Sequence, residues 1–158
     1  MKKLIIPAIL LCFLFSCSTT ENSSLGNMLA VMQVDEPIPG VCDNSNVIAI
    51  LPFPGNGQIK AKAPLTDEEI TQKLNTEVEY LKDKTNYDDK GMVSLIVNCK
   101  GEMVKCSMSN KTKSPELDQQ IVDVFSIMVN WKAGTVNGRS VDTSVLYSFE
   151  IKNGVISL

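Results

Sequence analysis

The side chains best suited to chemistry in this chain are its five cysteines, Cys12, Cys17, Cys42, Cys99 and Cys106, and no histidine is present to activate them. Without an imidazole, Ser-His-Asp and Cys-His nucleophiles and His-containing zinc sites are excluded, and so is the usual near-neutral acid or base. Cys42, Cys99 and Cys106 are too scattered to match a common structural zinc spacing. Asp88-Asp89 and Asp67-Glu68-Glu69 are carboxylate clusters of the kind that do acid–base work. Their settings account for them otherwise, as a solvated loop and as the first turn of a helix. Gly55-Asn56-Gly57 reads as a turn, because no strand–loop–helix with a Lys-Ser/Thr pair follows it. Trp131, at a helix exit, reads as a core anchor rather than a ligand platform. The expectation is a non-enzyme with no metal, cofactor or small-molecule substrate.

Cysteine chemistry at the start of the chain is of another kind. Lys2 and Lys3 precede the apolar stretch Leu4 to Phe15, which is too short for the ~20 residues of a spanning helix and has the form of a signal peptide core. It runs into Leu14-Phe15-Ser16-Cys17 and then a polar Ser/Thr/Asn run. That resembles a bacterial lipobox, although Phe15 is not the usual residue two places before the cysteine. Residues 1–16 are therefore read as a lipoprotein signal peptide and Cys17 as the lipidated residue, anchored without a spanning helix. The expected location is the bacterial cell envelope, at the outer membrane facing the periplasm. An ordinary secretory signal with a chance cysteine is the alternative. The 158-residue chain carries a charge of −3, and loss of Lys2 and Lys3 leaves −5. No basic excess is available for nucleic acid.

Residues 17–45 read as a flexible tether, with Pro37, Pro39 and Gly40 breaking any periodicity. Met28 to Met32 is the exception, a stretch long enough for one packed helical turn. The domain is read as residues 46–158. Val47 to Leu51 is an apolar run stopped by Pro52, the pattern of an edge strand. Thr66-Asp67-Glu68-Glu69 is a capping box, and Ile70, Leu74, Val78 and Leu81 predict a helix to about Lys84. Val93, Leu95 and Val97 predict a strand from Met92. Asn98 to Gly101 turns it into a second strand, Glu102 to Met108, with Val104, Cys106 and Met108 inward. Ser114 caps a second helix that starts at Pro115 and carries Leu117, Ile121, Val124, Phe125 and Met128 on one face. Alternation from Val141 to Ile151 predicts the longest strand, and Asn153-Gly154 leads to a short strand, Val155 to Leu158. The fold class is α+β: a small antiparallel sheet with two helices on one face.

Gly91-Met92-Val93, Val97-Asn98-x-x-Gly101-Glu102, Pro115-Glu116-Leu117-Asp118, Trp131-Lys132-x-Gly134 with Asn137-Gly138, and Tyr147-x-Phe149-x-Ile151 together resemble the TonB C-terminal domain. The resemblance is strongest over residues 88–158. Two features depart from that family. The first helix is approached by Ala63-Pro64-Leu65 instead of a Tyr-Pro entry, and the chain opens with a lipobox instead of the transducers' spanning helix and long spacer. The resemblance implies a periplasmic module that binds an extended peptide or protein segment, such as that of an outer-membrane receptor, by strand addition. It does not carry over energy transduction.

The expected docking edge is the strand Val141 to Ile151, whose outward side chains are Asp142, Ser144, Leu146, Ser148 and Glu150. Closure of that edge by Val155 to Leu158 is the competing reading. For the cysteines, a Cys42–Cys99 bridge with Cys106 as a small buried hydrophobe is the economical arrangement in an oxidising compartment. A Cys42–Cys106 bridge and no bridge are the alternatives. Two functions remain open: a lipid-anchored docking module in receptor-linked transport, and a structural lipoprotein using the fold as a scaffold in an envelope complex.

Overall fold

A computed structural model of the chain describes residues 30–32, 36–44, 47–49 and 57–158. The signal-like segment, Cys12 and Cys17 lie outside the described residues, as do Ile50 to Asn56. The protein is mixed α+β. In chain order it contains β1 (Ala30–Met32), β2 (Val47–Ala49), β3 (Gln58–Ile59), α1 (Asp67–Glu77) and a 3-10 turn (Glu79–Leu81). Next come β4 (Asp89–Val97), β5 (Met103–Asn110), α2 (Pro115–Ser126), β6 (Gly134–Val136), β7 (Arg139–Val141), β8 (Thr143–Lys152) and β9 (Val155–Ser157).

Both helices start where the sequence supplies acceptors for their free N–H groups. Thr66 and Glu69 complete the capping box of α1, and the Ser114 hydroxyl accepts from Leu117 N–H with Pro115 in the first turn of α2. Helix α1 ends at Glu77, earlier than its apolar spacing predicts. Val78 leaves helical dihedrals (φ −77°, ψ 99°), and the 3-10 turn then returns Leu81 to the core. Burial of Val78 and Leu81 survives the break, so the +4, +3 spacing reports burial rather than helix continuity.

The larger sheet has the order β1-β2-β8-β4-β5, with β9 also paired to β8. Strands β4 and β8 pair antiparallel from Asp89↔Ile151 to Val97↔Thr143 and form its centre. The two helices cover one face. Ile70, Leu74, Leu117, Ile121 and Phe125 meet Val93, Leu95, Val97, Phe149 and Ile151, all essentially buried. Trp131 joins this core and donates its indole N–H to Met128 O at 3.0 Å.

The opposite face carries a smaller cluster in which Ile38 and Val41 cover Ile96, Val47 and Val104. Residues 36–44, placed by composition in the tether, thus lie on the sheet. Val104 is on this face because β5 carries a register shift opposite Ile96/Val97. A bulge adds a residue and reverses the side-chain parity, so Met103, Cys106 and Met108 pack toward the helices while Val104 faces away. A simple alternation had put Val104 with Cys106 and Met108.

Three further expectations are corrected. Ala30 to Met32 is a strand rather than a helical turn, and β2 is interior, paired antiparallel to β1 and parallel to β8. The alternation from Val141 to Ile151 is not one strand. Val141 ends β7 in a separate three-stranded sheet, β3-β6-β7, and β8 begins only at Thr143. The Asn137-Gly138 turn joining β6 and β7 has φ of 51° and 78°, the left-handed pair that a two-residue hairpin requires.

Candidate docking edge and its disulfide brace

Cys42 and Cys99 are joined, S–S 2.01 Å, between residues 36–44 and the turn linking β4 to β5. That turn is tight: Asn98 N–H donates to Glu102 O at 2.8 Å and Gly101 N–H to Asn98 O at 2.9 Å. Gly101 takes φ 82°, and a Cβ there would stand 2.4 Å from Trp131 O, so only glycine fits. Asp142 locks the same place from the junction of β7 and β8. Its carboxylate accepts N–H groups from Cys42 (2.9 Å), Asp43 (2.7 Å) and Cys99 (2.9 Å), and the residue is 2% exposed. A buried carboxylate is held there by charge-assisted bonds from both bridged cysteines. Asp142 and the two sulfurs lie close together, but the sulfurs are committed to each other.

Of the residues expected on a docking edge, Asp142 is therefore a buried clamp between β7 and β8. Ser144, Leu146, Ser148 and Glu150 do lie on β8, with Leu146 58% exposed. However, β8 lies inside the strand order and is flanked at both ends, with only Val145 to Phe149 lacking a described partner on the side away from β4. Its side away from β4 is taken by β2 at Thr143 and Ser144, and by β9 from Glu150 to Lys152. The reading in which the C-terminal strand closes this side holds for its last three residues.

Among the described residues β1, β3, β7 and β9 are also edges, but of two or three residues each. The one long strand among them with an unpaired side along its whole length is β5, eight residues. Ladder parity shows which groups face outward. Asn98 N–H reaches Glu102 O, so even-numbered residues of β4 turn their backbone groups toward β5. Through the register Ser94↔Ser107 and Ile96↔Lys105, Ser107 and Lys105 reciprocate. Cys106, opposite Leu95, and Met108, opposite Val93, turn their N–H and C=O groups to the open side.

Beside that side runs α2, antiparallel to β5, and the two leave an open groove of about 470 Å³. Met108, Pro115 and Val122 give it apolar walls, while Lys111 and Asp118 flank one end. The loop closing that end is fixed by two carboxylates: Thr112 N–H donates to Asp118 at 2.9 Å, and Lys113 N–H to Asp89 at 2.8 Å. Partial burial pulls the Asp89 carboxyl upward, but N–H groups of Lys113 and Lys90 and the Tyr87 hydroxyl together hold it below its ordinary value. The Cys106 thiol, unbridged, points toward Val122 O at 3.8 Å, and desolvation pushes it above the usual thiol value. A raised thiol is a poor nucleophile, so this cysteine packs.

The edge was not legible in the sequence because edge status depends on what a strand lacks on its far side. The nearest local signal is composition: Lys105, Ser107, Ser109 and Asn110 give β5 a polar face, as edge strands often have. No described helix is long and apolar enough to cross a membrane. No protein-family model, curated protein or solved structure matches this chain.

Proposed function

We propose that this protein is a lipid-anchored cell-envelope module with a TonB C-terminal-like domain, which docks an extended segment of a partner protein by strand addition in outer-membrane receptor-linked transport. The observation that carries this reading is the outer side of β5, where the backbone groups of Cys106 and Met108 face an open groove. An added strand satisfies such groups in the way a sheet neighbour would. The residues behind the family resemblance support the domain assignment by their positions: Leu117, Trp131, Phe149 and Ile151 are core, and Gly91 lies where a Cβ would meet the Phe149 ring. The docking edge is moved from β8 to β5, since β2 and β9 flank β8. That flanking is also what favours the second reading, a structural lipoprotein whose sheet is completed by its own chain.

Photo-crosslinking in intact envelope separates the two. A photoreactive residue at the exposed Ser109 of β5 should capture an outer-membrane protein, and Met108→Pro should abolish capture while circular dichroism stays native. Proline removes an N–H that the sheet does not use. Equal capture by a well-folded Met108→Pro protein would exclude strand addition at β5.

A further inference from the structure

The groove beside β5 has a charge pattern that selects its occupant. We propose, building on the strand-addition reading, that the segment docked along β5 carries an acidic residue at the end next to Lys111 and apolar residues over Met108 and Val122. Helix α2 runs antiparallel to β5, so its N-terminus and the loop 111–113 lie at one end of the groove. Three charged side chains line it there: Lys111, Lys113 and Asp118. Two of them are already engaged. Asp118 is buried and accepts Thr112 N–H, and Lys113 Nζ donates to Asp88 O at 2.8 Å. Lys111 is exposed and makes no hydrogen bond or ion pair among the described residues. None of the three has an ion-pair partner among the described residues, and Lys111 is the one whose side chain has no hydrogen-bond partner there either.

Further along, Met108 and Val122 give the groove its apolar lining and Cys106, Ser107 and Gln119 add uncharged groups, so no charged side chain lines that part. An extended segment places side chains alternately, ~3.3 Å apart along the strand. A segment paired to Cys106 and Met108 therefore carries its next residues to the Lys111 end. The chain as a whole bears −3, so attraction for an acidic segment has to be local to this end of the groove.

The test uses the full chain and four synthetic probes: alternating Thr-Val heptapeptides ending in two glutamates or two lysines, each pair placed at either terminus. The glutamate probe in one orientation should bind tightest, and Lys111→Glu should weaken it about three- to tenfold while improving the matching lysine probe. Lys100→Glu, at the turn far from the groove, should leave all four unchanged. If glutamate and lysine probes bind alike and Lys111→Glu changes neither, the charge assignment is overturned while strand addition stands. If no probe binds and none protects the Cys106 and Met108 amides, both fail together.

Discussion

Asp142 shows how a single side chain can be placed by alternation and misassigned in role. Val141, Asp142 and Thr143 continue a period of two across the junction between β7 and β8, so the residue reads as an outward strand position. What it does depends on Cys42 and Cys99, 100 and 43 residues away. Replacing Asp142 with Ala strands three N–H donors and should cost about 2–4 kcal/mol in urea unfolding, with Asn recovering part of the loss. An unchanged midpoint would show the clamp to be dispensable. Cys99→Ser opens a bridge spanning 57 residues and should cost about 2–4 kcal/mol under oxidising conditions. The tyrosines give a residue-scale pH prediction. Burial pushes the Tyr147 hydroxyl to about 12, and burial with the neighbouring Asp89 carboxylate does the same for Tyr87. Raised values favour the neutral phenols of the folded state. That stability is complete below the ordinary tyrosine value near 10 and is lost as pH rises through about 12. Ultraviolet titration should show two of the three tyrosines ionising only near that upper limit, together with unfolding.

At the scale of elements, the parts that were legible are those specified by local chemistry. The Thr66 capping box, Ser114 with Pro115, and the Asn153-Gly154 turn each announce themselves within four residues, and each is present. Ser114→Ala should cost about 1 kcal/mol through loss of the cap to Leu117 N–H, measured by thermal or urea unfolding. The illegible parts are set by distant partners. The bulge in β5 that turns Val104 away from the helices accommodates Ile38 and Val41 packing on that face, and no residue of β5 encodes it. Likewise the interior position of β8 follows from β2 arriving in parallel at Thr143 and Ser144. The proposed docking edge belongs to this second kind: Cys106 and Met108 are ordinary strand residues until the sheet order shows no described strand beyond them.

For the whole molecule, the proposal joins a lipid at Cys17 to a domain that includes β1 and residues 36–44, the latter fastened at Cys42. The bridge fastens residues 36–44, which follow β1, to the turn between β4 and β5. Cys17→Ser should release the protein from the membrane or block its processing, and unchanged retention in envelope fractions would remove the anchor. The central claim is that the outer side of β5 receives a strand, and residue-resolved amide exchange reads it most directly. In the free chain, Cys106 and Met108 amides should exchange fast while Lys105 and Ser107, bonded to β4, exchange slowly. With the tightest-binding glutamate probe at saturation, Cys106 and Met108 should slow at least about tenfold and approach their neighbours. Unchanged exchange at these two amides in the saturated complex would contradict docking at β5.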